Sequence, residues 1–429
     1  MDQRIYDLAE LTKAKYGLTA YRLHKWHIFR GTTLFRGTVY RLSMEWFPIH
    51  VGPGGNEDTN PAGTVCMDID IASGKLENMI FVGGVTYADS LKFDSRHKDE
   101  IIRWIEKETG LVYGKQFELW KEKERKLQFR GCVDGIAVSP AASIEIQWDE
   151  EGRLVFFSVT GPFPPHDRVK RETYALSLDQ AEKWAALQLK SAEFPDMDRK
   201  RFVAAYAIEE IYIRNDNAST LPFSYMACEH PRVRMDTVIT WDAPLPEPFR
   251  PKNISLVDHA TPEQAFRREA HPDLAPISEE DIRRYVRSAQ TFLRQVFADD
   301  SGKWTLTTLH REKGYIWAEL QANERQAQWR TRKLRLIIDP PTGEVLNYLD
   351  NEPLLAVYAD FQEAEEGRVP AEEAFAKLKR HLTLTPYYVY DHEQGSYVLC
   401  GKLDCDYAVK ADTGEVIPIT GNRARSPDV

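Results

Sequence analysis

No stretch of the sequence approaches the roughly 18 consecutive apolar residues that a membrane-spanning helix requires. The first residues, MDQRIYDLAELTKAKYG, are charged from residue 2 onward and contain no uninterrupted apolar segment of the kind found in secretory signals. The five cysteines are odd in number and scattered, as is typical of reduced thiols. These absences predict a cytoplasmic protein without a transmembrane segment.

The sequence also lacks an excess of positive charge. Its formal net charge is −10, which argues against a nucleic-acid partner because phosphate binding is driven by clustered basic side chains. A local exception is the stretch 325–335, which contains Arg330 and Arg332. The expected role of such a stretch is a solvated strand face or a linker, and electrostatic contact between neighbouring units is the alternative.

The motifs of common enzymes are absent as well, since the sequence contains no H-E-x-x-H, G-x-S-x-G, P-loop or G-x-G-x-x-G pattern. His24 and His27 have the spacing of a metal pair only on a helix, and their aromatic surroundings favour a strand. Asp68 and Asp70 share one face of a predicted strand, where a solvated face is a simpler interpretation than acid–base chemistry or cation binding. We therefore assign no catalytic, cofactor-binding or metal-ligating residue from the sequence.

What the sequence does contain is an internal repeat with a period of about 90 residues, which is the length of a small domain. Candidate helix starts lie near Asp2, Ser95, Ser177, Ser278 and Pro370. Ser177 and Ser278 are typical N-caps because a serine hydroxyl accepts a hydrogen bond from an otherwise unpaired backbone N–H. Each start predicts an amphipathic helix.

Alternating strand patterns follow the predicted helices, most clearly in the last two units. The segments 304–310, 315–321 and 333–338 predict strands of the fourth unit. The turns REKG and PPTGEV of that unit recur as HEQG and ADTGEV in the fifth. Glycine at the end of such a turn can adopt positive φ and lets the next strand turn back. The matching turns indicate duplication.

These patterns predict an α+β fold of tandem repeats, each a helix packed on a short antiparallel β-meander. Proline-rich and polar stretches indicate the boundaries between the repeats. The predicted units are 1–90, 91–170, a degenerate third unit at 171–260, 261–355 and 356–420, followed by a tail at 421–429 that we expect to be disordered.

The closing hairpins of the last two units resemble those of the bacterial YcdB/YcdC repeat family and, more distantly, PepSY-type domains. The resemblance is carried by a D-x-x-T-G-E-V-type pattern at Asp339, Thr342, Gly343, Glu344 and Val345, then at Asp412, Thr413, Gly414, Glu415 and Val416. It covers most of 278–420 and only loosely the first 260 residues. It implies a helix packed on an antiparallel sheet and a non-catalytic role, and it supplies no catalytic residue. Such proteins are often exported or membrane-attached, and this chain departs from them in showing no export signal.

We therefore expect a non-enzymatic binding or regulatory protein built of PepSY-like repeats, with a protein or peptide partner. An extended peptide at a sheet edge and a protein on an aromatic face are the two modes considered. The candidate partner surface consists of Trp26, Trp46, Trp329, Arg330 and Arg332. The alternatives are a hydrolase with a carboxylate site in a cleft between units, and a structural or self-assembling protein. The sequence implies no cofactor and leaves the ligand and the oligomeric state open.

Overall fold

The computed structural model describes residues 2–35, 37–50, 59–88, 91–94, 97–223, 231–323, 330–365 and 367–419. In chain order the helices are α1 (Gln3–Lys15), α2 (Lys98–Thr109), α3 (Leu178–Leu187), α4 (Pro262–Arg267), α5 (Glu279–Val296), α6 (Glu352–Ala356) and α7 (Ala371–Leu378). Short 3₁₀ turns lie at Val82–Gly84, His166–Arg168, Pro272–Leu274 and Lys379–His381.

Most of the regular structure is β. In chain order the strands are β1 (Tyr21–Thr33), β2 (Gly37–Pro48), β3 (Val65–Asp70), β4 (Leu76–Phe81), β5 (Phe117–Lys123), β6 (Lys126–Val133), β7 (Ile136–Ser139), β8 (Ser143–Trp148), β9 (Leu154–Thr160), β10 (Leu189–Asp196), β11 (Arg201–Ile208), β12 (Ile211–Arg214), β13 (Thr220–Pro222), β14 (Arg232–Ile239), β15 (Trp304–Glu312), β16 (Tyr315–Ala322), β17 (Lys333–Ile338), β18 (Val345–Asp350), β19 (Leu382–Asp391), β20 (Ser396–Cys405), β21 (Tyr407–Lys410) and β22 (Val416–Pro418). The strands predicted at 304–310, 315–321 and 333–338 are confirmed.

The helices begin where the sequence provides caps. The side chains of Asp2, Ser177 and Ser278 each accept a hydrogen bond from a backbone N–H in the first turn of α1, α3 and α5. α7 begins directly after Pro370. These four helix starts are confirmed, and the fifth, Ser95, lies outside the described residues.

The longest of these helices, α5, packs on a sheet through one apolar stripe. Tyr285, Ala289, Phe292 and Leu293 are buried and recur at three- and four-residue spacing. Each large side chain of this kind contributes about 1.5–3 kcal/mol when fully buried. In the described part of the chain, no helix has the length and apolar character needed to span a membrane.

The strands form three sheets. The largest is mixed and has 13 strands, in the order β1-β2-β3-β4-β9-β8-β6-β7-β19-β20-β12-β13, with β5 paired to β6. A four-stranded sheet has the order β10-β11-β21-β22, and a five-stranded sheet has the order β14-β15-β16-β17-β18. Strands β7 and β19 run parallel, which makes the large sheet mixed.

The predicted α+β architecture, with each helix on its own short PepSY-like meander, is wrong. The sheets continue across the predicted unit boundaries, since β4 pairs with β9, β7 with β19, β11 with β21 and β12 with β20. The physical reason is that an unpaired strand edge exposes a row of backbone donors and acceptors, which strands from distant segments cover. The unit boundaries themselves stay a prediction, and the tail 421–429 lies outside the described residues.

One face of the large sheet is covered by α1 and α2. Ile5 of α1 and Ile101 of α2 belong to the same buried cluster as Leu42, Met79 and Phe157 of the sheet. Because successive side chains of a strand point to opposite faces, the residues between these apolar positions face away from the helices. The polar face that results contains the site described next.

Candidate functional site

The site lies where β4 pairs with β9. This pairing joins strands β1 to β4 to the rest of the large sheet. Met79 pairs with Phe157 at this junction, and both side chains are fully buried on the helix-covered side. The neighbouring pair, Asn78 and Ser158, therefore faces the opposite side. Asp68 of β3 lies beside Asn78 on that face. The junction thus places an amide, a hydroxyl and a carboxylate in one row.

These three side chains line a depression of about 890 Å³, the junction groove. Its volume is within the range of small-ligand sites. Its floor and rim come from β1, β2, β3, β4 and β9, from the turns after β1 and β3, and from the loops after α2 and β9. The lining residues are Thr32, Thr33, Leu34, Phe35, Arg41, Asp68, Asp70, Ser73, Lys75, Leu76, Glu77, Asn78, Thr109, Gly110, Leu111, Ser158, Val159, Thr160, Gly161, Pro162, Phe163 and Pro165.

Two of the three carboxylates in the groove are held by their own neighbours. Oδ1 of Asp70 accepts hydrogen bonds from the backbone N–H and the hydroxyl of Ser73, both at 2.7 Å. These bonds close the turn between β3 and β4, in which Gly74 has a φ of 65°. Glu77 forms an ion pair with Arg41 of β2. Both carboxylates therefore shape the groove.

The third carboxylate, Asp68, has no cationic partner among the described residues. Its Oδ2 accepts one long hydrogen bond, 3.5 Å, from Nδ2 of Asn78. The side chain is half-buried, and a charge that has lost part of its hydration gains most from an opposite charge close by. Lys75 does not neutralise it, because its Nζ donates to the carbonyl of Thr109 at 2.6 Å.

Apolar side chains form the walls of the groove. Phe35 packs against Tyr390 of β19 and Tyr397 of β20, with ring centroids 5.5 Å and 6.0 Å away. Pro162 and Phe163, which follow β9, also line the groove. Aromatic rings and prolines around a polar floor are typical of sites that bury a ligand while a few polar groups fix its orientation.

Further along the same face, Glu145 of β8 is the centre of a polar cluster. Partial burial raises its pKa, but hydrogen bonds from Lys126, Gln128 and Gln147 outweigh burial and lower the pKa overall. Gln128 and Gln147 donate to it at 2.7 Å and 2.6 Å. Glu145 is thus held as a carboxylate by its neighbours, which fixes the polar face beside the groove.

The residues predicted to form a partner surface have different environments. Trp46 is 1% exposed and belongs to the core between the sheet and the helices, so its ring presents no surface to a partner. Trp26 is half-buried and packs against the same core. Trp329 lies outside the described residues.

Arg330 and Arg332 bind carboxylates of this chain. Arg330 contacts both oxygens of Glu363 at 2.7 Å and Glu193 at 3.2 Å, which ties two segments together. Arg332 binds Asp350 and Glu352, each at 2.6 Å. Both guanidinium groups therefore form ion pairs within the molecule.

Sequence reasoning interpreted Asp68 and Asp70 as a solvated strand face and missed the groove. Asn78 and Ser158 lie in strands whose pairing is not visible from alternation, and Phe163 lies in a proline-rich segment that indicated only a boundary. No group of three or more His, Cys, Asp or Glu side chains in the described ranges is arranged to hold a metal ion.

Comparison with known proteins finds a weak similarity to a solved structure. No family model matches the chain, and no curated protein matches it. Among solved structures, the chain is similar to the Bacillus megaterium YpeB C-terminal domain, with 9% sequence identity and a TM-score of 0.24, over 80% of this chain and 96% of that chain. A TM-score of this size carries no argument about fold or activity, so the proposals below are based on the described residues.

Proposed function

We propose that the protein is a non-enzymatic binding protein that holds an extended peptide in the junction groove, with a basic group of the peptide at Asp68. The observation that carries the proposal is the half-buried Asp68 carboxylate without a cationic partner among the described residues. A lysine or arginine side chain, or a terminal ammonium, would supply the missing charge.

The rest of the lining also favours a peptide. Hydroxyl and amide groups of Thr160, Ser158 and Asn78 can exchange hydrogen bonds with peptide N–H and C=O groups. Phe35 and Phe163 offer apolar surface to side chains of the ligand. This combination binds a ligand without requiring chemistry from the protein.

The same contacts argue for binding over hydrolysis. A hydrolase with a carboxylate site needs two groups that are free to take up and release protons. Asp70 is engaged by Ser73 and Glu77 by Arg41, which leaves Asp68 as the carboxylate open to a ligand.

The test is a screen of short peptides by fluorescence anisotropy. We expect binding that prefers lysine or arginine at one position and is weakened about tenfold or more by Asp68→Asn, because a charge-assisted hydrogen bond is worth about 1.5–3 kcal/mol. Glu10→Gln is the matched control, since Glu10 lies on an exposed face of α1 and does not line the groove. Preferential binding of neutral oligosaccharides, or an equal effect of both variants, would count against the proposal.

We further propose that the chain is a distant relative of the YcdB/YcdC repeat family. The support is the shared closing turn. Gly343 N donates to the carbonyl of Asp339 at 2.8 Å, and Gly414 N donates to that of Lys410 at 2.9 Å. The backbone N–H of each glutamate donates to the hydroxyl of the threonine two residues earlier, Glu344 to Thr342 and Glu415 to Thr413. A crystal structure of a family member whose closing turns lack these bonds would remove the support.

A further inference from the structure

Apart from the junction groove, a cavity of about 580 Å³ lies beside the five-stranded sheet, between one face of α5, the segment 248–252 and the start of β18. Its lining carries four cationic side chains and one carboxylate, although the whole chain has a net charge of −10. A local excess of positive charge in an acidic protein indicates attraction of an anion at that place.

The four cationic side chains of this cavity differ in whether they already have a partner within the chain. Lys252 pairs with Glu344 at 2.5 Å. Nη2 of Arg284 binds Asp281 at 2.6 Å and the carbonyl of Pro340 at 2.8 Å. Arg250 and Arg287 are exposed at the rim, and no acidic residue in the described part of the chain pairs with either. Two guanidinium groups are therefore available to a ligand.

The floor of the cavity is aromatic. Phe249 and Phe292 make an edge-to-face contact, with ring centroids 4.9 Å apart. Phe292 is 1% exposed and fixed in the core below α5, whereas Phe249 is half-buried. A flat apolar group entering the cavity would cover the exposed part of the Phe249 ring, which Phe292 supports from below, and displace water from it.

We infer that this cavity is a binding site for a small organic anion, in which Arg250 and Arg287 hold a carboxylate or phosphate and the aromatic floor holds an attached ring. Guanidinium groups suit both anions because their planar donors bind two oxygens at once. The site is separate from the junction groove and does not depend on its function.

The experiment is a ligand-observed NMR titration of the full chain with phenyl phosphate, phenylacetate, inorganic phosphate and benzyl alcohol. We expect saturable binding of phenyl phosphate, weaker binding of inorganic phosphate because it lacks the ring, and no binding of the uncharged benzyl alcohol. Tighter binding of phenyl phosphate than of phenylacetate would assign a phosphate, and the reverse order would assign a carboxylate.

Variants locate the binding. Arg250→Gln and Arg287→Gln should each weaken phenyl phosphate about tenfold, and the double variant should abolish saturable binding. Arg283→Gln is the matched control, because Arg283 is an exposed arginine of α5, 64% accessible, that does not line the cavity. Unchanged binding by the double variant, an equal effect of Arg283→Gln, or binding of benzyl alcohol as tight as that of phenyl phosphate would overturn the inference.

Discussion

Glu108 of α2 shows how one buried carboxylate holds several elements together beside the groove. It is 5% exposed, and its Oε1 accepts hydrogen bonds from the hydroxyl of Tyr16 at 2.5 Å and Nζ of Lys15 at 2.6 Å. The backbone N–H of Leu76, at the start of β4, donates to it at 3.3 Å. Burial and the nearby carboxylate raise the pKa of Tyr16 above its ordinary value, so the phenol stays a donor.

We expect Glu108→Gln to lower the free energy of unfolding by about 1–3 kcal/mol, because the buried partners lose a charged acceptor. Urea denaturation monitored by tryptophan fluorescence measures the change. Glu10→Gln, at an exposed position of α1, should change stability by less than about 0.5 kcal/mol. Equal midpoints for the two variants would show that Glu108 does not hold these elements together.

We expect His310 of β15 to make the stability of the protein sensitive to acid. It is 1% exposed, and its Nδ1 has no hydrogen-bond partner among the described residues. Burial, reinforced by the charge of Arg232, lowers its pKa below the ordinary value of 6.5. Below that value the unfolded chain takes up a proton that the folded chain resists, so stability falls as the pH decreases from about 6.5 towards the folded-state pKa.

His310→Leu should therefore lose less stability than the wild type between about pH 7 and about pH 5. Urea denaturation at both pH values measures the difference. His97→Gln provides the control, because this histidine side chain is 61% exposed. If His310→Leu kept the full pH dependence of the wild type, His310 would not be the responsible group.

At the scale of elements, the β3–β4 turn at Gly74 and the β17–β18 turn at Gly343 share a backbone conformation but are packed differently. Gly74 and Gly343 both adopt positive φ, 65° and 73°. A Cβ added at Gly74 would meet nothing within 4 Å, whereas one at Gly343 would lie 3.2 Å from the Arg284 side chain and 3.4 Å from Ser288 Oγ. Both turns therefore require a positive φ, but only the turn at Gly343 also packs closely against α5.

We expect Gly74→Ala to cost about 1–2 kcal/mol, the strain of a left-handed backbone conformation in a residue with a Cβ. Gly343→Ala should cost more, since Arg284 must also shift. Thermal unfolding of the two variants gives the comparison directly. Equal losses would mean that the contact with α5 adds nothing to the cost.

Several elements could be predicted because their signals are local. α5 follows the Ser278 cap and carries a continuous apolar stripe, and β17 begins with alternating basic and apolar side chains. Sheet pairing could not be predicted in this way. The alternation of polar Asn78 and apolar Met79 is the same whether β4 is an edge strand or pairs with β9. Alternation shows which face of the sheet a side chain lies on, but it does not show which strand lies alongside.

For the same reason the candidate site was only partly visible. The sequence shows Asp68 only as a carboxylate on a strand face, because its missing cation depends on what β4 and β9 place around it. Trp46 is an aromatic residue that the sequence favours for a surface, and the packing of α1 and α2 buries it. Burial and pairing arise from contacts between distant segments, which a single sequence does not reveal.

At the scale of the whole molecule, strands between residues 382 and 410 complete sheets that begin much earlier. β19 and β20 pair with β7 and β12, and β21 pairs with β11. The C-terminal strands thus cover three strand edges that would otherwise be unpaired.

A chain that ends at residue 370 should therefore expose the edges of β7, β11 and β12 and associate. We expect light scattering to show a mass that rises with concentration, and amide exchange in β10–β13 to be faster than in the full chain. A monomeric truncated protein with full-chain protection in those strands would contradict the importance of this pairing.

The account depends most on the claim that a peptide binds in the junction groove, and amide hydrogen exchange with a bound peptide from the screen tests it most directly. The account predicts slower exchange in the segments 70–78 and 158–163, with no change in α5 and β18, and loss of that protection in Asp68→Asn. Protection confined to other parts of the chain, or protection that Asp68→Asn leaves intact, would contradict it.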